Sequence, residues 1–438
     1  MHFRPLLAAL LLSSPVLAAH VTDVADAADE KHPLEVDLDV TFDHSHSDTR
    51  ITREQSTAGG ILLVDELRHL RTVDELGFRL NVGLWHDLEL HVLAPLVVKD
   101  QQDWGYAVVG GTSVEGASTL KNNHTSISGC GSPGACDPSA AATPIVTVPG
   151  TSQRKGLRDP TIGIAWGPVN EQRELKLRPE LFPPDHPVST WVVGFDYTLP
   201  LGNVDDPSAF VSTTPGTGNE ARKAHVFTLW TAFSKRYKVV EPYFKLSASA
   251  PVASKSAYDN CANPQLLADV AQANCAGAWN GQTGYKPPFY GSFWLGSEFV
   301  ALEDTRSDQR LSFDVRGTVD YHGPGRDYSQ ITDALGKLTY VDEYMTVTGQ
   351  LGLYGRLARW LHARVYGTIG FDTAHIITHE DIGDDKDHDG KITLSAGSGR
   401  PAPDQNPLYD FRLDQVGRRL RAEPSLIWGI AGSLALNF

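Results

Sequence analysis

Basic residues are scarce in this chain. The 38 Lys and Arg stand against 53 Asp and Glu, a formal net charge of −15, which argues against nucleic acid as a partner because phosphate binding needs an excess of cations. Long apolar runs are also missing. Beyond the first residues no uninterrupted stretch reaches the ~20 residues that a membrane helix requires, so a helical membrane protein is excluded. Cysteine is limited to four residues. None follows the N-terminal apolar run closely enough to carry a lipid anchor, and no CxxC spacing offers a redox pair or a zinc site. Neither GxSxG nor HExxH occurs, so no enzyme is expected.

What is present begins with a leader. His2 and Arg4, an apolar run from Leu6 to Leu12 and the small residues Val16, Ala18 and Ala19 read as a secretory signal over 1–18, followed by a short periplasmic segment over 19–33. The other end is a strand. Counting back from Phe438, the apolar or side-chain-free Leu436, Leu434, Gly432, Ile430, Trp428 and Leu426 alternate with Asn437, Ala435, Ser433, Ala431 and Gly429, a period of two that ends on an aromatic residue. A terminal strand with one apolar face suits a closed barrel, in which the last strand pairs with the first.

The same alternation recurs along 34–438. It is clearest over 34–42, 76–82, 88–96, 311–320 and 361–372, with further candidates at 158–166, 190–200, 222–234, 237–249, 287–301, 340–354 and 422–438. The reading is all-β: a transmembrane antiparallel β-barrel of 12 strands in the bacterial outer membrane, its wall facing lipid. The joins near 44–73, 98–157, 201–221, 250–286, 322–339 and 373–421 are long and those between them short, as expected for extracellular loops and periplasmic turns. The join at 167–189 is long for a turn, and GGILLV inside 44–73 is apolar; fourteen strands is therefore the runner-up count. A soluble sandwich alternates too, but has no reason to place its long loops at one end.

If the apolar face meets lipid, the polar face lines a lumen. Its members are Glu35, Asp37, Asp39, Glu75, Glu89, Asp196, Glu241, Glu298, Asp314, Asp320 and Asp372, against Arg79, Lys245, Arg316 and Arg364. Carboxylates dominate. Such an interior is either a packed polar core or a narrow passage whose field favours cations or neutral solutes.

The loops carry their own signals. Cys130 with Cys136 and Cys261 with Cys275 are local pairs in an exported chain, and two loop disulfides are expected. Asp385, Asp387 and Asp389 occupy positions 1, 3 and 5 of a calcium loop, with Gly390 at the sharp turn. The backbone oxygen of Lys391 would help complete a weak Ca²⁺ shell, because Ala396 stands where a bidentate Glu belongs. His44, His46 and Asp48 form a further, weaker metal candidate.

Gly83, Leu84, Asp87, Leu88, Glu89 and Leu90 across one turn, then Gly156, Leu157, Asp159 and Gly163, then Pro200 and Gly202, resemble the turn motifs of the phenol-degradation meta-pathway transporter-like barrels. The resemblance covers about a third of the chain and implies passage of small solutes through an outer-membrane barrel. The acidic interior and the cysteine-bearing loops depart from that pattern. A docking subunit, which would hold a protein partner on its long extracellular loops, is the alternative.

Overall fold

The computed structural model describes residues 19–27, 34–118, 120, 150–183, 186–210, 217–267, 270–304, 309–358, 360–394 and 402–438. Twelve long strands follow one another around a closed wall. They are β1 Val36–Thr57, β2 Gly60–Trp85, β3 Leu88–Tyr106, β4 Thr161–Asn170, β5 Val188–Thr198, β6 Ala224–Arg236, β7 Val240–Ala253, β8 Tyr290–Asp304, β9 Gln309–His322, β10 Tyr344–Ala358, β11 Leu361–Asp372 and β12 Ser425–Asn437. Each pairs antiparallel with its sequence neighbour. β12 returns to β1, with Leu436 opposite Leu38 and Leu434 opposite Val40, so no edge remains open.

The period-two pattern decides which face is which. Phe42, Phe78, Leu80, Ile164, Phe195, Leu229, Leu246, Leu295, Phe313, Leu351, Val365, Ile369 and Leu434 all point outward and are exposed, a contiguous apolar surface that water would not tolerate and a lipid core would. Trp85, Trp166, Trp191, Trp360 and Phe438 are exposed near the ends of the strands that share the chain's C-terminal side. They form the aromatic girdle of one membrane interface.

Three sequence expectations need correction. The segment 44–73 is not a loop: β1 runs for 22 residues and β2 for 26, paired from Val36↔Val82 up to Thr57↔Gly60. Since about ten residues cross a membrane, this hairpin stands well above the bilayer. GGILLV is its tip and not an extra pair of strands, so twelve stands and fourteen does not. The join at 171–187 contains a short helix, Glu171–Leu177, rather than strands. Finally, residues 19–27 do not lie outside the barrel; they run through its lumen.

Described parts of the long connections fold over the opposite mouth. Ile51, Leu67 and Trp104 from the extended ends of β1 to β3 form one apolar core with Ile331, Leu335 and Val341 of the β9–β10 connection and Ile377, Leu413 and Leu420 of the β11–β12 connection. Cys261 and Cys275 are joined by a disulfide within the β7–β8 connection, while Cys130 and Cys136 fall outside the described residues, as does the leader.

Candidate functional site

Inward side chains of a twelve-stranded wall leave a central space, and at each mouth a segment of chain bridges it. At the periplasmic mouth the bridge is the segment 19–27, held by its backbone amides on wall carboxylates. Ala19 N donates to Glu241 Oε1 (2.7 Å) and His20 N to Glu298 Oε2 (3.3 Å), while Thr22 Oγ1 meets Ser234 Oγ (2.8 Å). Farther along, Ala25 N donates to Glu89 Oε2 (2.9 Å) and Asp26 N to Glu35 Oε2 (3.0 Å). The first contacts lie on β6 to β8 and the last on β3 and just before β1, so the segment crosses the full width of the barrel.

The outer mouth is crossed from the other direction. Asp333, in the β9–β10 connection, accepts from Ser152 Oγ (2.9 Å) and Gln102 Nε2 (3.4 Å) and pairs with Arg154, which also pairs with Asp205. Gln102 lies on β3, and Ser152 and Arg154 on Thr151–Leu157, the strand that continues beside β3. β3 is six strands from β9, hence diametrically opposite. Trp104 Nε1 donates to the Gln330 carbonyl (2.7 Å) from the same wall.

A cavity of about 1980 Å³ runs from the periplasmic mouth, past residues 20–26, into the lumen. Fifteen Asp and Glu and nine Arg and Lys line it, which leaves the interior acidic. Charge is not spread evenly. Asp37, Asp39 and Asp43 line up on β1, whereas Lys245 on β7 and Arg316 on β9 stand across the lumen from them. Lys245 Nζ lies over the rings of Trp230 (4.3 Å) and Trp294 (5.0 Å), and the Arg316 guanidinium over Trp294 (4.4 Å). Among the described residues these cations are held by aromatic faces, and Arg316 also by the Gln350 amide oxygen, rather than by carboxylates. His91 bridges two acids, with Nδ1 3.0 Å from Glu89 Oε1 and Nε2 2.8 Å from Asp196 Oδ1.

Twelve of the residues expected in the lumen line this cavity: Glu35, Asp37, Asp39, Glu75, Arg79, Glu89, Asp196, Lys245, Glu298, Asp314, Arg316 and Arg364. The other three do not. Glu241 is fully buried beneath Ala19 and Ser234. Asp320 accepts from Ser292 and Asp372 from Thr346 (2.6 Å), both near the outer ends of their strands.

The acidic turn in the last loop is arranged differently from the calcium-loop expectation. Oxygens of Asp385, Asp387 and Asp404 lie within 4.8 Å of one another. Asp389 is not among them; its Oδ1 accepts from Lys391 N (2.8 Å), which closes the turn locally and removes it from the converging group. Asp404 takes its place. The amides of Thr393 (2.8 Å) and Lys386 (2.9 Å) donate to its carboxylate and hold it below the usual carboxylate range. His44 lies instead on β1, 2.6 Å from Asp74, and His46 beside Thr72; Asp48 pairs with Arg68. That candidate is dispersed along one strand.

Neither a family model nor a curated relative matches the chain. Among solved structures it is similar to an outer-membrane channel from Pseudomonas putida F1, at 10% identity over 91% of this chain and 95% of that one, TM-score 0.37. It is also similar to a Pseudomonas aeruginosa FadL homologue (8% identity, 92% and 90%, TM-score 0.29) and to the outer-membrane protease OmpT of Escherichia coli (6% identity, 92% and 97%, TM-score 0.28). Likenesses this distant, to a channel and a protease alike, carry no activity across. The assignment rests on the chain's own closed wall and apolar belt: this is a twelve-stranded β-barrel of the bacterial outer membrane.

Proposed function

We propose that the barrel is a non-enzymatic channel that passes small neutral or cationic solutes when the segments crossing its mouths move aside. The observation that carries this reading is the cavity of about 1980 Å³ inside the wall. A lumen serving only to hold strands together would be filled with interlocking side chains, because protein interiors pack to crystal-like density. Its excess of carboxylates supports cations over anions, and the aromatic-backed Lys245 and Arg316 make that preference modest. Reconstitution into liposomes tests it. Full-length protein should pass neutral solutes slowly, a chain lacking residues 19–27 faster, and both should favour cations. No passage by either would overturn the reading.

A docking role has one observation in its favour. Ile61, Leu62 and Leu63, at the tip of the β1–β2 hairpin above the membrane, are exposed, and apolar tips in water mark contact surfaces. Mild isolation from native membrane separates the readings: a stoichiometric companion lost on Leu62→Ser favours docking. In either role, the convergence of Asp385, Asp387 and Asp404 supports weak Ca²⁺ binding that orders the last loop.

A further inference from the structure

We propose that the leader is removed between Ala18 and Ala19, and that the ammonium formed on Ala19 is a structural cation of the barrel, seated against the buried carboxylates of Glu241 and Glu298. The seat is built from three adjacent strands. Glu241 and Ala19 are both fully buried. Glu241 Oε1 accepts from Ala19 N (2.7 Å) and from Ser234 Oγ (2.8 Å), while Oε2, equally enclosed, has no hydrogen-bond partner among the described residues. Beside it, Glu298 accepts from Arg310 (2.8 Å), Ser312 and His20 N.

The seat is short of positive charge. Among the described residues one guanidinium, Arg310, serves both acids, at 2.8 Å from Glu298 and 4.0 Å from Glu241. Two buried carboxylates with one cation leave a negative charge uncompensated, which the interior of a barrel does not tolerate cheaply. A peptide nitrogen at Ala19 would bring one N–H and no charge. An ammonium brings three N–H donors and the missing positive charge, with two donors beyond the one already used for Oε1. The local turn fixes its aim, because Thr22 N and Thr22 Oγ1 both donate to the Ala19 carbonyl.

The sequence places a cut at the same bond. Val16 and Ala18 are the small residues a leader protease needs before the scissile peptide. Hydrolysis breaks the Ala18–Ala19 C–N bond and consumes one water; its oxygen joins the Ala18 carboxylate, and both its protons go to the Ala19 nitrogen. Export processing therefore creates the group that locks residues 19–27 across the lumen, and an uncut chain lacks it.

The test has two parts. Intact mass of the barrel purified from outer membrane should correspond to residues 19–438; a different first residue overturns the proposal. Leaderless chains refolded in detergent are then compared with Ala19 free, acetylated, or preceded by one Gly, and protease cutting within 19–33 is followed. The free chain should be cut about a hundredfold more slowly than either of the others, the scale expected when a buried carboxylate loses its partner. In Glu241→Gln the difference should vanish. Equal cutting of free and acetylated chains overturns the proposal, whether or not Glu241→Gln folds and whatever the channel conducts.

Discussion

Gly83 and Asp26 meet backbone to backbone at the periplasmic mouth: a side chain on Gly83 would overlap the Asp26 carbonyl. Gly83 N also donates to the Glu35 carbonyl (2.9 Å), so the strand cannot retreat. Gly83→Val should push the N-terminal segment off the wall while leaving the β2–β3 ladder paired. Solute passage in liposomes should rise several-fold, with the melting temperature of the barrel unchanged. Unaltered passage would mean that the segment does not limit flow.

At the outer mouth, Asp333 is the counter-charge that a loop carries across the lumen to Arg154. Both are buried. Asp333→Ala leaves Arg154 with Asp205 as its one carboxylate partner among the described residues, and breaking a buried pair costs about 3 kcal/mol or more. Hydrogen exchange should quicken across 329–341, and passage should rise further when the change is combined with Gly83→Val. If exchange stays slow, the apolar core around Ile331 and Leu335 holds the crossing without the ion pair.

How much of this was legible in the sequence follows from which contacts are periodic. The membrane part of each strand faces lipid on one side and a polar lumen on the other, so residues such as Leu76, Phe78 and Leu80 alternate and can be read. Above the bilayer β1 is polar on both faces except at Ile51, the alternation disappears from His44 to Thr57, and the strand reads as a loop. The N-terminal segment leaves no pattern at all, since it is held through backbone amides on Glu35, Glu89, Glu241 and Glu298. Asp404 is invisible for another reason. It reaches the acidic turn from a distant part of the loop, whereas motif spacing sees only neighbours.

The Cys261–Cys275 bond closes a sequence separation of 14 in a connection that lies on the cap, where Asn260 exchanges hydrogen bonds with Leu338 (3.0 and 2.8 Å). A loop of that length is worth about 3 kcal/mol through restriction of the unfolded chain. The bond stands outside the wall, so reduction should expose 254–289 to protease while the barrel keeps its resistance to heat. Loss of that resistance would show that loop and wall unfold as one unit.

The last loop offers a choice between two ligand sets that mutation can separate. The amides of Thr393 and Lys386 stabilise ionised Asp404, so its folded value lies below its unfolded one. Such a group contributes stability above the unfolded value of about 3.9 and loses it as the pH falls through the folded one. Protease cutting within 384–404 should therefore quicken only in acid below about pH 4. At neutral pH calcium at about 10⁻⁴ to 10⁻³ M should slow the cutting, because three carboxylates converge and extracellular sites work in that range. Asp404→Asn should abolish the calcium effect, and Asp389→Asn should leave it nearly intact, since Asp389 is turned toward Lys391 N. The reverse result would restore the linear DxDxD ligand set, and protection unaffected by either change would leave the turn solvated and without metal.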